Sequence, residues 1–232
     1  LWCFLGTGIV SLLFFSLCYF RSMETVSLST AAVLLYTAPI HVMLLSLLLF
    51  REKITRSKAA ALVLAFAGCA LVSGLASPGA SDPRGILLAL ASGFFYALYS
   101  IFSRCCILRG YHSWTIVFYT FLFCGAGCSF LCDWSRIGAV LAGGARNVLL
   151  CAGLGVVTAF LPYLLYSMSL ERLESSRASI LASVEPVVGT LFGVLLFHEP
   201  LSAESLAGIV LVLAAIAVLS LPARRRFGTR RR

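Results

Sequence analysis

The sequence predicts an all-α fold: a polytopic membrane helical bundle built as an inverted repeat, five plus five helices in the full-length protein and about eight in this chain. Composition is the first reason. Of 232 residues, 60% are hydrophobic and 12% charged, and the mean hydropathy is +1.00; a soluble domain carries about a quarter charged residues. That excludes an ordinary soluble globule, a disordered chain and a secreted disulfide scaffold. Segment length is the second reason. Eight apolar stretches of 18–23 residues follow one another, and about 20 helical residues cross a bilayer. The third is a self-similarity at an offset of 147 residues.

Helices are expected over 2–20, 27–49, 57–74, 85–104, 114–132, 147–168, 176–197 and 203–221. Turn and charge signals separate them at Arg51-Glu52-Lys53, Ser77-Pro78-Gly79, Asp82-Pro83, Arg109-Gly110, Gly143-Gly144 and Glu199-Pro200. In lipid each span must satisfy its own backbone hydrogen bonds, which leaves helices or a closed barrel. Continuous apolar runs do not fit the alternation of barrel strands. Lysine and arginine set the orientation. With the C-terminus in the cytoplasm, Arg51, Lys53, Arg56, Lys58, Arg104, Arg109, Arg172, Arg177 and the six arginines of the tail 222–232 lie inside; Arg21, Arg84, Arg136 and Arg146 stay outside. An integral, multi-pass protein of the plasma membrane with a cytoplasmic C-terminus is the expectation. A basic tail behind a span marks topology, so nucleic acid is not an expected partner.

Under the offset, Gly6-Thr7-Gly8-Ile9-Val10 meets Gly153-Leu154-Gly155-Val156-Val157, Tyr19 meets Tyr166, Pro39 meets Pro186, and Phe50-Arg51-Glu52 meets Phe197-His198-Glu199. Compositional bias would match leucines, not Tyr, Pro and Glu in one register. The copies point opposite ways: residues 51–58 carry four Lys or Arg, and the matching 198–205 carry none. Residues 1–74 form the last three helices of the first copy, 75–84 a linker, and 85–221 the five helices of the second. Two of those five have no partner, so the chain is expected to be the last eight spans of a ten-span protein.

Ionisable groups at membrane depth are rare and functional by default. Glu185 falls near the middle of the seventh span, directly before Pro186; His41 falls two residues after Pro39. Each proline frees a backbone carbonyl within a span and kinks it, as in helices that line a cavity. Glu185 shares a face with Ala178, Ala182, Gly189 and Gly193, and small residues let another helix approach, so Gly189 and Gly193 are expected packing positions. The carboxylate either binds an amine or carries a proton, or it is a protonated structural group hydrogen-bonded to a neighbouring helix. His41 shares a face with Thr30 and Thr37, as a relay or contact on one reading and an interhelical hydrogen bond on the other. Tyr36, Tyr96, Tyr99, Tyr163 and Tyr166 offer hydroxyls to a cavity or anchor span ends. Trp2, Trp114 and Trp134 sit at expected interfaces, and Glu52 and Glu199 are expected to close helix-to-helix turns.

No metal is expected. Cys124, Cys128 and Cys132 share a helical face, but no CxxC motif and no His at ligand spacing accompanies them. Gly6-x-Gly8 and Gly153-x-Gly155 lie within spans without a preceding strand and read as packing glycines, and neither His-Glu-x-x-His nor Gly-x-Ser-x-Gly occurs. No cofactor and no catalytic residue is expected.

Two motifs are duplicated in register: Tyr36-Thr37-Ala38-Pro39 leading to Arg51-Glu52-Lys53, and Val184-Glu185-Pro186 leading to His198-Glu199. In each, a proline within the helix precedes by 13 residues a glutamate at its end. The pattern resembles the EamA-like transporters of the drug/metabolite transporter superfamily over essentially the whole chain. It departs at His198, where the first copy has Arg51, and in the absent first two helices. The resemblance implies a ten-helix secondary carrier with a central cavity and alternating access. Amino acids, related metabolites or other small organic solutes would be its cargo, with export the expected direction. The implied partners are the lipid bilayer, a small-molecule solute and a coupling proton or other ion, and such a bundle is free to pair as a homodimer. Glu185, His41, Tyr36, Thr37, Tyr163 and Tyr166 are the expected solute- or proton-binding residues. Two other readings stay open: a transport-inactive or regulatory membrane protein, and an intramembrane lipid-modifying enzyme, which would need a nucleophile or metal cluster near an interface.

Overall fold

A computed structural model describes residues 1–72, 82–198 and 202–220. Among the described residues there are helices and turns and no strand. The first copy contributes α1 (Trp2–Ser22), α2 (Leu28–Leu35), α3 (Ala38–Phe50) and α4 (Arg56–Val72). The second contributes α5 (Pro83–Ile107), α6 (Ser113–Ser129), α7 (Trp134–Ala142), α8 (Ala145–Arg172), α9 (Ser175–Ala182), α10 (Glu185–Phe197) and α11 (Ala203–Ser220). Local chemistry sets the ends. Asp82 caps α5 by accepting from the Arg84 N–H, with Pro83 at the first helical position, where a missing N–H costs nothing. Gly144 turns the chain between α7 and α8 at φ 116°, a conformation closed to most side chains.

The repeat is written into the backbone. An offset of 147 residues carries α2 onto α9 and α3 onto α10 without a gap, and α4 onto residues 203–219 of α11. Each copy has a π-helical stretch in its long helix, Gly6–Leu13 and Gly155–Phe160. Among the described residues each also has one non-glycine residue in the left-handed region, Arg51 and His198, both at φ 55° and 147 positions apart. The equivalent helices α4 and α11 run antiparallel: Ser57 donates to the Val218 carbonyl at one end (3.1 Å), while Gly68 meets Gly208 toward the other. Helices that correspond yet run opposite ways make the repeat inverted.

Lipid is as apolar as a leucine side chain, so close backbone contact rather than water exclusion holds such helices together. A Cβ on Gly68 would lie 2.8 Å from the Gly208 carbonyl oxygen, and one on Gly208 would lie 2.7 Å from that of Gly68. Ala61, Ala65, Ala215 and Leu219 continue this seam, with Met43 and Ile180 packed against it. Gly68→Leu is therefore expected to cost about 1–3 kcal/mol by overpacking, read as a lower unfolding temperature in detergent. Gly153→Leu, where a Cβ meets nothing within 4 Å, should leave the stability within about 0.5 kcal/mol of the parent's.

Each of the eight expected spans falls on helix, and among the described residues six are long and apolar enough to cross a membrane, or seven if α6 and α7, bent by 110°, form one broken span. Helix α4 has 17 residues, and the end of its expected span lies in residues 73–81, outside the described set together with most of the linker 75–84 and the tail 222–232. Helix α7 was not expected, because residues 133–146 read as a break. Asp133 accepts from the Ser135 and Arg136 N–H groups and starts it, and Trp134 donates to the Ser129 carbonyl across the corner. Equivalent helices are covered unequally. Helix α1 packs on α5 and α6, and 44% of its most apolar stretch is buried; the figure for α8 is 6%. Helices α5 and α6 have no equivalent among the described residues that could cover α8.

Candidate functional site

Both broken spans follow from proline. Pro39 has no N–H for the Leu35 carbonyl, and its ring crowds that oxygen. The helix stops at Leu35, turns through Tyr36-Thr37 and restarts at Ala38. The Thr37 carbonyl accepts from the Ile40 and His41 N–H groups (2.9 and 3.4 Å). The second copy repeats this at Ser183-Val184, ahead of Pro186. The expected kinks are thus two-residue breaks.

A cavity of about 300 Å³ lies between the breaks. Leu35, Tyr36, Ala38 and Pro39 line it from the first copy, and Ser179, Ala182, Ser183 and Glu185 from the second. Three of these are matched pairs under the offset: Leu35 with Ala182, Tyr36 with Ser183, and Ala38 with Glu185. The cavity therefore sits on the axis that relates the copies. Phe15 of α1, Tyr96 and Tyr99 of α5, and Tyr163 and Tyr166 of α8 complete the wall. Tyr99 and Ser167 hydroxyls are hydrogen-bonded at 2.7 Å, as are those of Tyr166 and Ser100, tying α5 to α8. Tyr99 and Tyr163 meet edge to face at 4.7 Å.

Glu185 is exposed into this cavity. Among the described residues no side chain or backbone group hydrogen-bonds to its carboxyl and no cation pairs with it, so the interhelical bond of the structural reading is not formed. The hydroxyls of Tyr36, Tyr96 and Tyr163 likewise have no partner among the described residues. Of the six expected binding residues, the fold brings together Glu185, Tyr36, Tyr163 and Tyr166.

His41 and Thr37 are not in the wall. His41 Nδ1 lies 3.1 Å from the Thr37 carbonyl and its ring stands edge-on to Phe94, so the imidazole is committed to its own helix and to α5. Thr37 donates to the Leu34 carbonyl at 2.7 Å and packs where a Cβ on Gly93 would sit, 2.9 Å away. Gly189 does not pack either: a Cβ there meets nothing within 4 Å. The surroundings of Gly193 lie outside what is described. A small-residue face is legible in a sequence, but whether it looks at protein or at lipid is decided by neighbours distant in the chain. Phe15, Ser179 and Ser183 carried no sequence signal of their own; Ser183 was reachable only as the equivalent of Tyr36.

Glu52 also departs from expectation. It does not close its own turn but reaches the other copy, accepting from the backbone N–H groups of Ser175 (2.9 Å) and Ser176 (3.3 Å) and from the Ser176 hydroxyl. These are free donors of the first turn of α9. Lys58 completes the cluster, 2.6 Å from Glu174, 3.6 Å from Glu52 and donating to Ser176 at 2.8 Å. The Lys58 and Glu52 side chains are only 5% and 8% exposed. Glu199 lies outside the described residues. A wider opening of about 780 Å³ flanks this cluster. Two of its arginines are spent on helix ends: Arg104 donates to the Leu170 and Leu173 carbonyls at the end of α8, and Arg177 to the Leu219 carbonyl of α11. Among the described residues no group of three His, Cys, Asp or Glu could hold a metal ion.

Known proteins resemble this chain in sequence and fold. The EamA-like transporter family matches residues 1–74 and 83–221. An uncharacterized transporter of Archaeoglobus fulgidus is 31% identical over 201 residues, covering 86% of this chain and 70% of its own. A second from that organism is 32% identical over 195 residues, covering 84% and 68%. The uncharacterized transporter YxxF of Bacillus subtilis is 26% identical over 202 residues, covering 86% and 63%. One crystal structure has the same fold, with a TM-score of 0.79 at 20% identity over 96% of this chain and 79% of that one. The protein is an integral, multi-pass membrane protein, and it belongs to the EamA-like transporter family.

Proposed function

We propose that the protein moves a small organic solute across the plasma membrane by alternating access, with the cavity between the broken helices as the binding site and Glu185 as its charged anchor. The observation that carries this reading is a carboxylate without a protein partner, exposed in a cavity on the axis between inverted copies. Rocking one copy against the other about such a site exposes it to each side in turn. The Glu52–Lys58 cluster ties the copies at one face of the membrane, the cytoplasmic one if the C-terminus is inside. Export, in exchange for a coupling proton at Glu185, completes the proposal.

The protein reconstituted in sealed liposomes tests it against a panel of labelled amino acids, amines and sugars. At least one solute is expected to cross chemically unchanged, and Ser183→Trp, which fills the cavity, should cut that flux more than tenfold while the protein stays folded. Flux indifferent to Ser183→Trp, or recovery of the solute only as a reaction product, would overturn the reading.

A further inference from the structure

We infer that the solute this cavity takes is an organic ammonium ion, an alkylated or quaternary amine, rather than an anion, a sugar or an amino acid. The inference rests on the reading of the cavity as the solute site. Charge is the first argument. Glu185 brings one carboxylate, and among the described residues no Lys, Arg or His lines the cavity with it. A cation entering there offsets the carboxylate where little water screens it, whereas an anion would meet it uncompensated.

The backbone narrows the other route to an anion. A broken helix can present the free N–H groups of its new N-terminus, and such groups bind carboxylates. At the start of α3, the Ile40 and His41 N–H groups already donate to Thr37, and Pro39 has none. At the start of α10, Val188 donates to the Val184 carbonyl, Pro186 has no N–H, and Glu185 itself supplies the negative charge of the first turn. A zwitterionic amino acid finds a carboxylate for its ammonium group, while its own carboxylate meets no cationic side chain among the described lining residues.

The wall supplies the third argument. Tyr36, Tyr96, Tyr99, Tyr163, Tyr166 and Phe15 surround the carboxylate. Aromatic faces carry the negative end of the ring quadrupole and attract cations, quaternary ammonium ions above all. The serine bonds to Tyr99 and Tyr166 hold two of these rings in place before any ligand arrives. Ser179 and Thr158 donate to the Ser176 and Leu154 carbonyls of their own helices. At about 300 Å³ the cavity lies at the small end of ligand pockets, roughly 300–1,000 Å³, and suits a compact ion.

Calorimetric titration of the protein in nanodiscs with tetramethylammonium, its neutral analogue tert-butanol and its zwitterionic analogue trimethylglycine decides the matter. Tetramethylammonium should bind at least tenfold more tightly than either analogue. Glu185→Gln should weaken it at least tenfold, and Tyr96→Leu should weaken it more than Tyr96→Phe, which keeps the ring. Equal binding of either analogue, no binding of tetramethylammonium, or unchanged affinity in Glu185→Gln would overturn the inference. Binding is read here without flux, so the two readings fail separately. Liposomes that move a neutral solute through a Ser183→Trp-sensitive path would remove the cation and leave the carrier. Tetramethylammonium binding beside liposomes that move nothing would remove the carrier and leave the cation site.

Discussion

Glu185→Gln is expected to abolish transport in a protein that still folds. Truncating one partner of a desolvated charge pair costs about 2–5 kcal/mol, roughly 30- to 3,000-fold in affinity at about 1.4 kcal/mol per tenfold. Nothing among the described residues bonds to this carboxyl, so its neutral isostere leaves no protein group orphaned. The unfolding free energy should stay within about 0.5 kcal/mol of the parent's. Flux in liposomes and thermal unfolding in detergent, measured on one preparation, separate the two outcomes. A variant that carries solute at the parent rate removes Glu185 from the mechanism; one that unfolds early makes it a structural group.

Lys58→Met carries the largest expected stability effect. Glu52 and Lys58 are almost wholly buried, and removing one member of a buried ion pair leaves the other uncompensated, at about 3–5 kcal/mol. Glu52 keeps its bonds from Ser175 and Ser176, which offset part of this. A loss of about 2–3 kcal/mol remains, roughly 5–10 °C in unfolding temperature. Adding Glu52→Gln should restore part of it, because the stranded charge is gone; the two substitutions then cost less together than their sum. An unfolding temperature unmoved by Lys58→Met would show that the cluster holds nothing.

Much of this was legible in the sequence, for identifiable reasons. Pro39 and Pro186 act through their own missing N–H, so the breaks are local and fall where the prolines stand. Asp82 starts α5 through its own cap, and Gly110, at φ 85°, turns the chain just past that helix's end. Glu185 stood out because a carboxylate in an apolar span has no cheap alternative. What was missed depended on distance in the chain. Thr37 and His41 looked like cavity residues beside Pro39, but the rotation of α2 and α3 against α5 turns them toward Gly93 and Phe94. Glu52 looked like a turn residue, and only the approach of α9 shows what it caps. Gly189 belongs to a small-residue face that meets nothing, while Gly68 and Gly208, unremarkable in the sequence, touch backbone to backbone.

Lys58 has no twin. The offset puts Ser205 at its place, where a hydroxyl and an N–H turn back to Ser202 instead of reaching across the bundle. Two conformations that trade the roles of the halves would be level in energy only if both ends fastened equally well. Among the described residues the lysine end has an ionic clasp that the Ser205 position does not match, so under the proposed cycle the empty molecule is expected to favour the state with that end fastened. On that proposal, opening it would be uphill until cargo supplied the difference, and a bundle built from two like halves would be lopsided in its working cycle.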